Sequence, residues 1–322
     1  MLQLRHLDLG WNNFSGEIPQ EYGRLGDLKV LSVHENKLSG RIPPEIGKLE
    51  FLKELFLGGN TLSGALPSEL GYLRTLKSMS LYGNKLSGEF PTSFSQLNNL
   101  TLLDLSQNKL DGSIPESIGD LPKLEELNLY GNNLSGSVPR KLGTNGKLQN
   151  LYLSRNKLTG DLPESLASCQ SLKEIYMDEN LLNGSIPKGL FGLPNLIRVN
   201  LGDNLLSGGF PETHDSVAHN LEVINLSNNQ LSGMLPPRIA NFSSLRVLHL
   251  EGNRFSGSIP PQIGNLQQLL HIDLSSNNFS GKIPWPISIH SQWSYVNLSR
   301  NHLSGDISEF PGTWIFSSFL FS

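Results

Sequence analysis

Few side chains in this sequence are placed for reaction chemistry. His249 and Asp273 lie 24 residues apart, and His271 stands two positions before Asp273. An imidazole beside a carboxylate is an acid–base pair, and both residue types ligate metals. The set has no nucleophile, no third positioned ligand and no enclosing loop. A polar surface explains it better, and neither a catalytic residue, a metal nor a cofactor is expected. Cys169 is the single cysteine, which excludes an internal disulfide; it precedes Leu172 by three residues and fits a packed outer turn. Binding chemistry is better represented. Phe56, Tyr152 and Tyr176 share one register with Asp104 and Asn128; Tyr82 and Tyr130 fall two places further along, and Arg198 stands close to Tyr176 in this register. Aromatic side chains among polar neighbours favour contact with a peptide or a protein.

The register comes from a repeat. Leu4, Leu7, Leu9, Asn12, Phe14, Gly16, Ile18 and Pro19 set the pattern LxxLxLxxNxLSGxIP, which returns from Leu28, Leu52, Leu76 and onward to Trp293. That makes about 13 copies in all, nearly all of 24 residues. The step from Asn204 to Asn229 is 25, with the extra residue near Glu212 to Asn220. The LxL segments alternate apolar and polar residues, which is strand periodicity. One strand per coil, stacked in parallel at ~4.8 Å, makes a long sheet. A single coil cannot bury its own Leu face, so neighbours must stack. The recurrent Asn, from Asn12 to Asn301, sits where the chain turns inward, and its amide can satisfy backbone groups freed there. Segments such as Pro43-Glu-Ile-Gly-Lys-Leu fit a short helical turn on the outer side. The expected fold is α/β: a leucine-rich repeat solenoid with a parallel sheet on a concave side. Residues 1–308 form the array, and 309–322 an irregular aromatic-rich tail.

Composition agrees with this. The chain has 322 residues, 60 of them Leu, and a net charge of −4. The apolar content excludes a disordered chain, and the weak negative charge argues against nucleic acid as a partner. No stretch is long and apolar enough to span a bilayer; the end, Trp314 to Phe321, is far too short. Met1 opens straight into the pattern, so no signal peptide is expected. Both ends lack Cys caps, and the chain reads as part of a longer array or a truncated product.

Twelve strand spacings give ~58 Å of inner face, and an extended peptide of ~12 residues reaches ~40 Å, about eight coils. Eight Asn-x-Ser/Thr sequons occur, at Asn13, Asn99, Asn133, Asn183, Asn225, Asn241, Asn278 and Asn297. The repeat itself generates many of them. Asn225 and Asn297 fall in the outward strand column, so glycans there would obstruct that part of the face. This favours the middle coils, from Phe56 to Tyr176, as the open surface.

The LSGxIP segment at this period resembles the plant-specific leucine-rich repeat class. Ser113-Ile-Pro-Glu-Ser-Ile-Gly-Asp-Leu-Pro, Asn145-Gly-Lys-Leu-Gln and Asn183-Gly-Ser-Ile-Pro-Lys-Gly-Leu-Phe-Gly-Leu-Pro resemble the ectodomains of CLAVATA-type receptor kinases, nearest the barely-any-meristem branch. The resemblance implies a plasma-membrane receptor whose extracellular solenoid binds a secreted peptide and recruits a co-receptor kinase. Membrane attachment would lie in segments missing from this chain. Comparison with the family also suggests one coil fewer near Ser168 to Ser171. Relatives carry an Arg-x-Arg pair that grips the peptide's terminal carboxylate; here Glu174 and Tyr176 occupy those positions, with Lys173 and Arg198 nearby. A Glu repels a carboxylate, and a Tyr offers one hydroxyl in place of a bidentate fork. No kinase Gly-rich loop, strand Lys or catalytic loop is present, so this chain itself is not expected to phosphorylate. A free secreted binding or inhibitor protein of the same repeat class, or a non-functional truncated receptor copy, are the alternative readings.

Overall fold

The computed structural model describes residues 3–211, 218–284 and 293–306. It divides into two units, Met1–Ser165 and Leu166–Ser322. The expected tail, 309–322, lies outside the described residues, as does most of the Glu212 to Asn220 insertion.

In the first unit seven three-residue strands run parallel, from His6–Asp8 through Val30–Ser32, Glu54–Phe56, Ser78–Ser80, Leu102–Asp104 and Glu126–Asn128 to Asn150–Tyr152. The pairing keeps the repeat in register, so that Ser32 faces Phe56 and Phe56 faces Ser80. The middle residue of each strand points inward: Leu31, Leu55, Met79, Leu103, Leu127 and Leu151 are fully buried. The two flanking residues point outward, as the alternation predicts. The second unit repeats the arrangement with Glu174–Tyr176, Arg198–Asn200, Val223–Asn225, Val247–His249, His271–Asp273 and Tyr295–Asn297. The 25-residue step passes without a register break, since Asn200 still faces Asn225.

Each strand ends in a turn held by the repeat Asn. Asn60, 8% exposed, donates from Nδ2 to the carbonyls of Val33, Leu57 and Gly58 at 3.0–3.1 Å, and its Oδ1 accepts the Leu38 amide at 2.9 Å. One side chain thus closes its own turn and ties it to the preceding coil. Asn84, Asn108, Asn229 and Asn277 make equivalent sets. The residue before each Asn adopts positive φ. Gly59, Gly83, Gly131 and Gly252 do so freely, whereas Trp11, Glu35, Gln107, Arg155, Glu179, Asp203, Asn228, Ser276 and Arg300 do so at φ of 49–56°. L-residues rarely adopt this conformation, and the turn imposes it coil after coil.

The outer turns are 3-10 helices, for example Pro44–Lys48 and Ser68–Tyr72 in the first unit and Pro261–Asn265 in the second. The preceding Pro holds extended backbone, with Pro43 at φ −65°, ψ 129°. Coils approach closely here: a Cβ on Gly47 would meet the Glu69 carbonyl at 2.4 Å.

Candidate functional site

The first unit holds Phe56, Tyr82, Asp104, Asn128, Tyr130 and Tyr152 on the outward face of its sheet. All are half-buried, with parallel neighbours one strand spacing, ~4.8 Å, away. Phe56 stands between Ser32 and Ser80, and Tyr152 faces Asn128. The Arg155 guanidinium lies 5.6 Å from the centre of the Tyr130 ring, a cation–π distance. Asn128 Oδ1 accepts the Tyr130 amide at 3.2 Å. Asp104 accepts from the Ser106 amide at 3.0 Å and its hydroxyl at 2.7 Å. These contacts hold Asp104, Asn128 and Tyr130 in place.

Tyr82 is held from a coil further off. Its hydroxyl donates to Glu35 Oε1 at 2.6 Å, and burial together with that carboxylate pushes its pKa up to about 12. Sequence reasoning placed Tyr82 on this face but did not find its partner.

In the second unit Tyr176 faces Asn200, and Glu174 faces Arg198. Arg198 Nη1 lies 2.6 Å from Glu174 Oε1, and Nη2 lies 3.8 Å from Glu222 Oε2. Arg198 is therefore shared by two carboxylates and is not an open anchor for a ligand carboxylate. Burial raises the Tyr176 pKa, and Glu174 adds to the rise.

His249 and Asp273 are register partners, as the spacing requires. They do not assemble a catalytic pair. Buried Asp273 is occupied by the Ser275 amide at 2.9 Å, the Tyr295 hydroxyl at 2.9 Å and the Asn297 amide at 3.0 Å. His271 is exposed and stacks on Tyr295, with ring centres 6.1 Å apart. His249 Nε2 is buried without a hydrogen-bond partner, and burial lowers its pKa. Glu251, two residues on, also has a buried, unpartnered oxygen, and burial pushes its pKa up to about 7. Sequence reasoning missed Glu251, although the same register holds Ser227 and Ser275 in adjacent coils. Among the described residues no three His, Cys, Asp or Glu side chains are grouped to hold a metal. Cys169 is buried beside the Ser171 hydroxyl, at 3.4 Å.

Of the sequon asparagines, Asn13, Asn133, Asn183, Asn241 and Asn278 are exposed, and Asn99, Asn225 and Asn297 are half-buried. Asn99 donates to the Arg74 carbonyl at 2.8 Å, and Asn297 donates to Asp273. A glycan on either amide would displace those bonds. No helix among the described residues is long and apolar enough to cross a membrane.

Leucine-rich repeat family models match residues 3–25, 27–49, 51–73, 74–134, 146–206, 220–242, 244–266 and 268–288. The chain belongs to the leucine-rich repeat family. Among solved structures it is similar to the PEPR1–AtPEP1 complex, with 36% identity, a TM-score of 0.89, and 94% of this chain aligned to 42% of that one. It is similar to the Arabidopsis receptor kinase HAESA, solved with the peptide hormone IDA and the co-receptor SERK1, at 31% identity and a TM-score of 0.65, over 95% of this chain and 63% of that one. The Leptospira interrogans protein LIC12759 is 32% identical with a TM-score of 0.72, over 93% of this chain and 73% of that one. The chain therefore spans less than two thirds of the two plant receptor chains. No curated protein sequence matches it.

Proposed function

We propose that this chain is a ligand-binding portion of the extracellular region of a plant receptor-like Ser/Thr kinase, and that it recognises a secreted peptide on the outward strand face. The observation that carries the reading is the match of nearly the whole array to PEPR1 in its complex with AtPEP1. The fixed aromatic and polar side chains of the first unit, Phe56, Tyr82, Asp104, Asn128, Tyr130 and Tyr152, supply a surface suited to a peptide. Tyr176 supplies a further aromatic in the second unit. Arg198 contributes by neutralising Glu174, not by gripping a carboxylate. A peptide whose terminal carboxylate needs an Arg pair is therefore disfavoured.

In this reading the chain works outside the plasma membrane, and a co-receptor kinase joins the liganded array, as SERK1 joins HAESA and IDA. The finer assignment, to the CLAVATA-type receptors and their barely-any-meristem branch, rests on the quoted motifs. Glycans occupy the exposed sequons, Asn13, Asn133, Asn183, Asn241 and Asn278, ahead of Asn99, Asn225 and Asn297. Mass spectrometry of plant-expressed protein tests this order: full occupancy at Asn225 with none at Asn133 would reverse it.

The alternative is an independent secreted binding protein of the same repeat class. The similarity to the Leptospira leucine-rich repeat protein, at 32% identity, supports it by placing a like array outside the plant receptor kinases. Affinity capture from a plant secreted-peptide fraction separates the two: a retained short peptide supports the receptor reading, and a retained enzyme supports an inhibitor.

A further inference from the structure

At the start of the strands in the first unit, one repeat position reads Arg5, Lys29, Lys53 and Lys77 in four successive coils. The structure aligns them directly. The Lys29 amide donates to the Arg5 carbonyl, Lys53 to Lys29 and Lys77 to Lys53, each at 2.8 Å. Arg5, Lys53 and Lys77 are exposed and Lys29 is half-buried. Among the described residues none of the four forms an ion pair. The same position then changes character: Thr101 bonds back to the Lys77 carbonyl at 3.0 Å, and Glu125 and Gln149 pair with each other at 3.2 Å. A net charge of −4 makes a run of four adjacent cations a local reversal of sign. The four side chains leave backbones one strand spacing, ~4.8 Å, apart, so an extended anionic partner is attracted by several of them at once.

We propose that Arg5, Lys29, Lys53 and Lys77 form an anion strip that seats an acidic stretch of an extended peptide. Three strand spacings span ~14 Å, which about five extended residues cover with acidic side chains at alternate positions. A peptide is favoured because Lys53 and Lys77 stand at the start of the strands whose outward face leads to Phe56 and, two places past the strand end, Tyr82. The proposal rests on the reading of that face as a peptide surface.

The test uses the full chain and three labelled probes: hexaglutamate, hexaglutamine and hexagalacturonate. Fluorescence anisotropy is read for wild type, for R5Q/K29Q/K53Q/K77Q, and for K37Q/K85Q/K109Q/K157Q, which removes four exposed lysines after the turn Asn. Hexaglutamate binding should fall at least tenfold in the first variant and less than twofold in the second. It should fall again at high salt, and hexaglutamine should not bind. Equal losses in both variants, no binding by wild type, or tighter binding of hexagalacturonate would each overturn the proposal. Thermal melts establish that both variants fold; if the quadruple variant does not, K53Q/K77Q replaces it with a threefold loss expected. Capture of peptides from a plant secreted fraction by Y130A/Y152A separates the two claims. Capture lost there but kept by a strip variant that still binds hexaglutamate overturns the strip alone; capture absent even from wild type sinks the peptide-surface reading, whatever hexaglutamate does.

Discussion

The Tyr82 hydroxyl reaches Glu35 over an intervening coil, 47 residues apart in sequence and 2.6 Å apart in space. Gly58 and Gly59 of that middle coil leave the room. A Cβ on Gly58 would meet the Tyr82 ring at 2.2 Å, and one on Gly59 would meet the Glu35 carboxylate at 2.4 Å. Gly58→Ala should therefore displace Tyr82 and cost about 1–3 kcal/mol, the usual range for overpacking. Urea denaturation of wild type, Gly58→Ala and the double variant Gly58→Ala/Tyr82→Ala measures it; the double variant should cost less than the sum of the single variants.

The same pair has a pH signature. The folded state holds the Tyr82 proton up to about pH 12, above the ordinary value of 10.0. The stabilisation is complete below pH 10 and is lost as pH rises from 10 to 12. Alkaline melts should show wild type falling faster than Tyr82→Phe across that interval, and parallel curves would contradict it.

Glu251 acts at lower pH. Its pKa rises from 4.5 to about 7, because burial disfavours the carboxylate. The folded state binds the proton more tightly, so stability falls as pH rises from about 4.5 to 7 and levels off above. Glu251→Gln should flatten that slope. His249 works in the opposite sense: its lowered pKa means stability present above the ordinary value of 6.5 and lost as pH falls. Melting curves of Glu251→Gln and His249→Gln between pH 4 and 8 separate the two contributions.

Neighbouring turn residues should respond in opposite directions. Asn108→Ala leaves buried backbone groups of Leu81, Leu105, Ser106 and Leu86 unsatisfied and should cost about 1–3 kcal/mol. Gln107→Gly relieves a φ of 52° and should be neutral or stabilising by up to about 1 kcal/mol. Equal destabilisation by both changes would refute this division of labour between the two positions.

The repeat made most of the architecture legible. Leu31, Leu55 and Leu127 announce the buried centre of each strand, and Asn60 and Asn84 announce the turn, because one periodic pattern binds identity to position. Contacts between residues that differ from coil to coil were not legible. Nothing in the pattern pairs Tyr82 with Glu35, or reveals that Arg198 is divided between Glu174 and Glu222. The half-burial of Phe56 and Tyr152 was not legible either, since alternation gives the face a side chain takes and not how far its neighbours enclose it. Glu251 escaped notice because burial at its register position depends on neighbours, not on the repeat.

Affinity capture by the purified chain from a plant secreted-peptide fraction, followed by mass spectrometry, reaches the peptide-receptor reading most directly. Wild type should retain one or a few short peptides, and Tyr130→Ala/Tyr152→Ala/Tyr176→Ala should lose them. Retention of the same peptides by that triple variant, or of none by wild type, would contradict the reading.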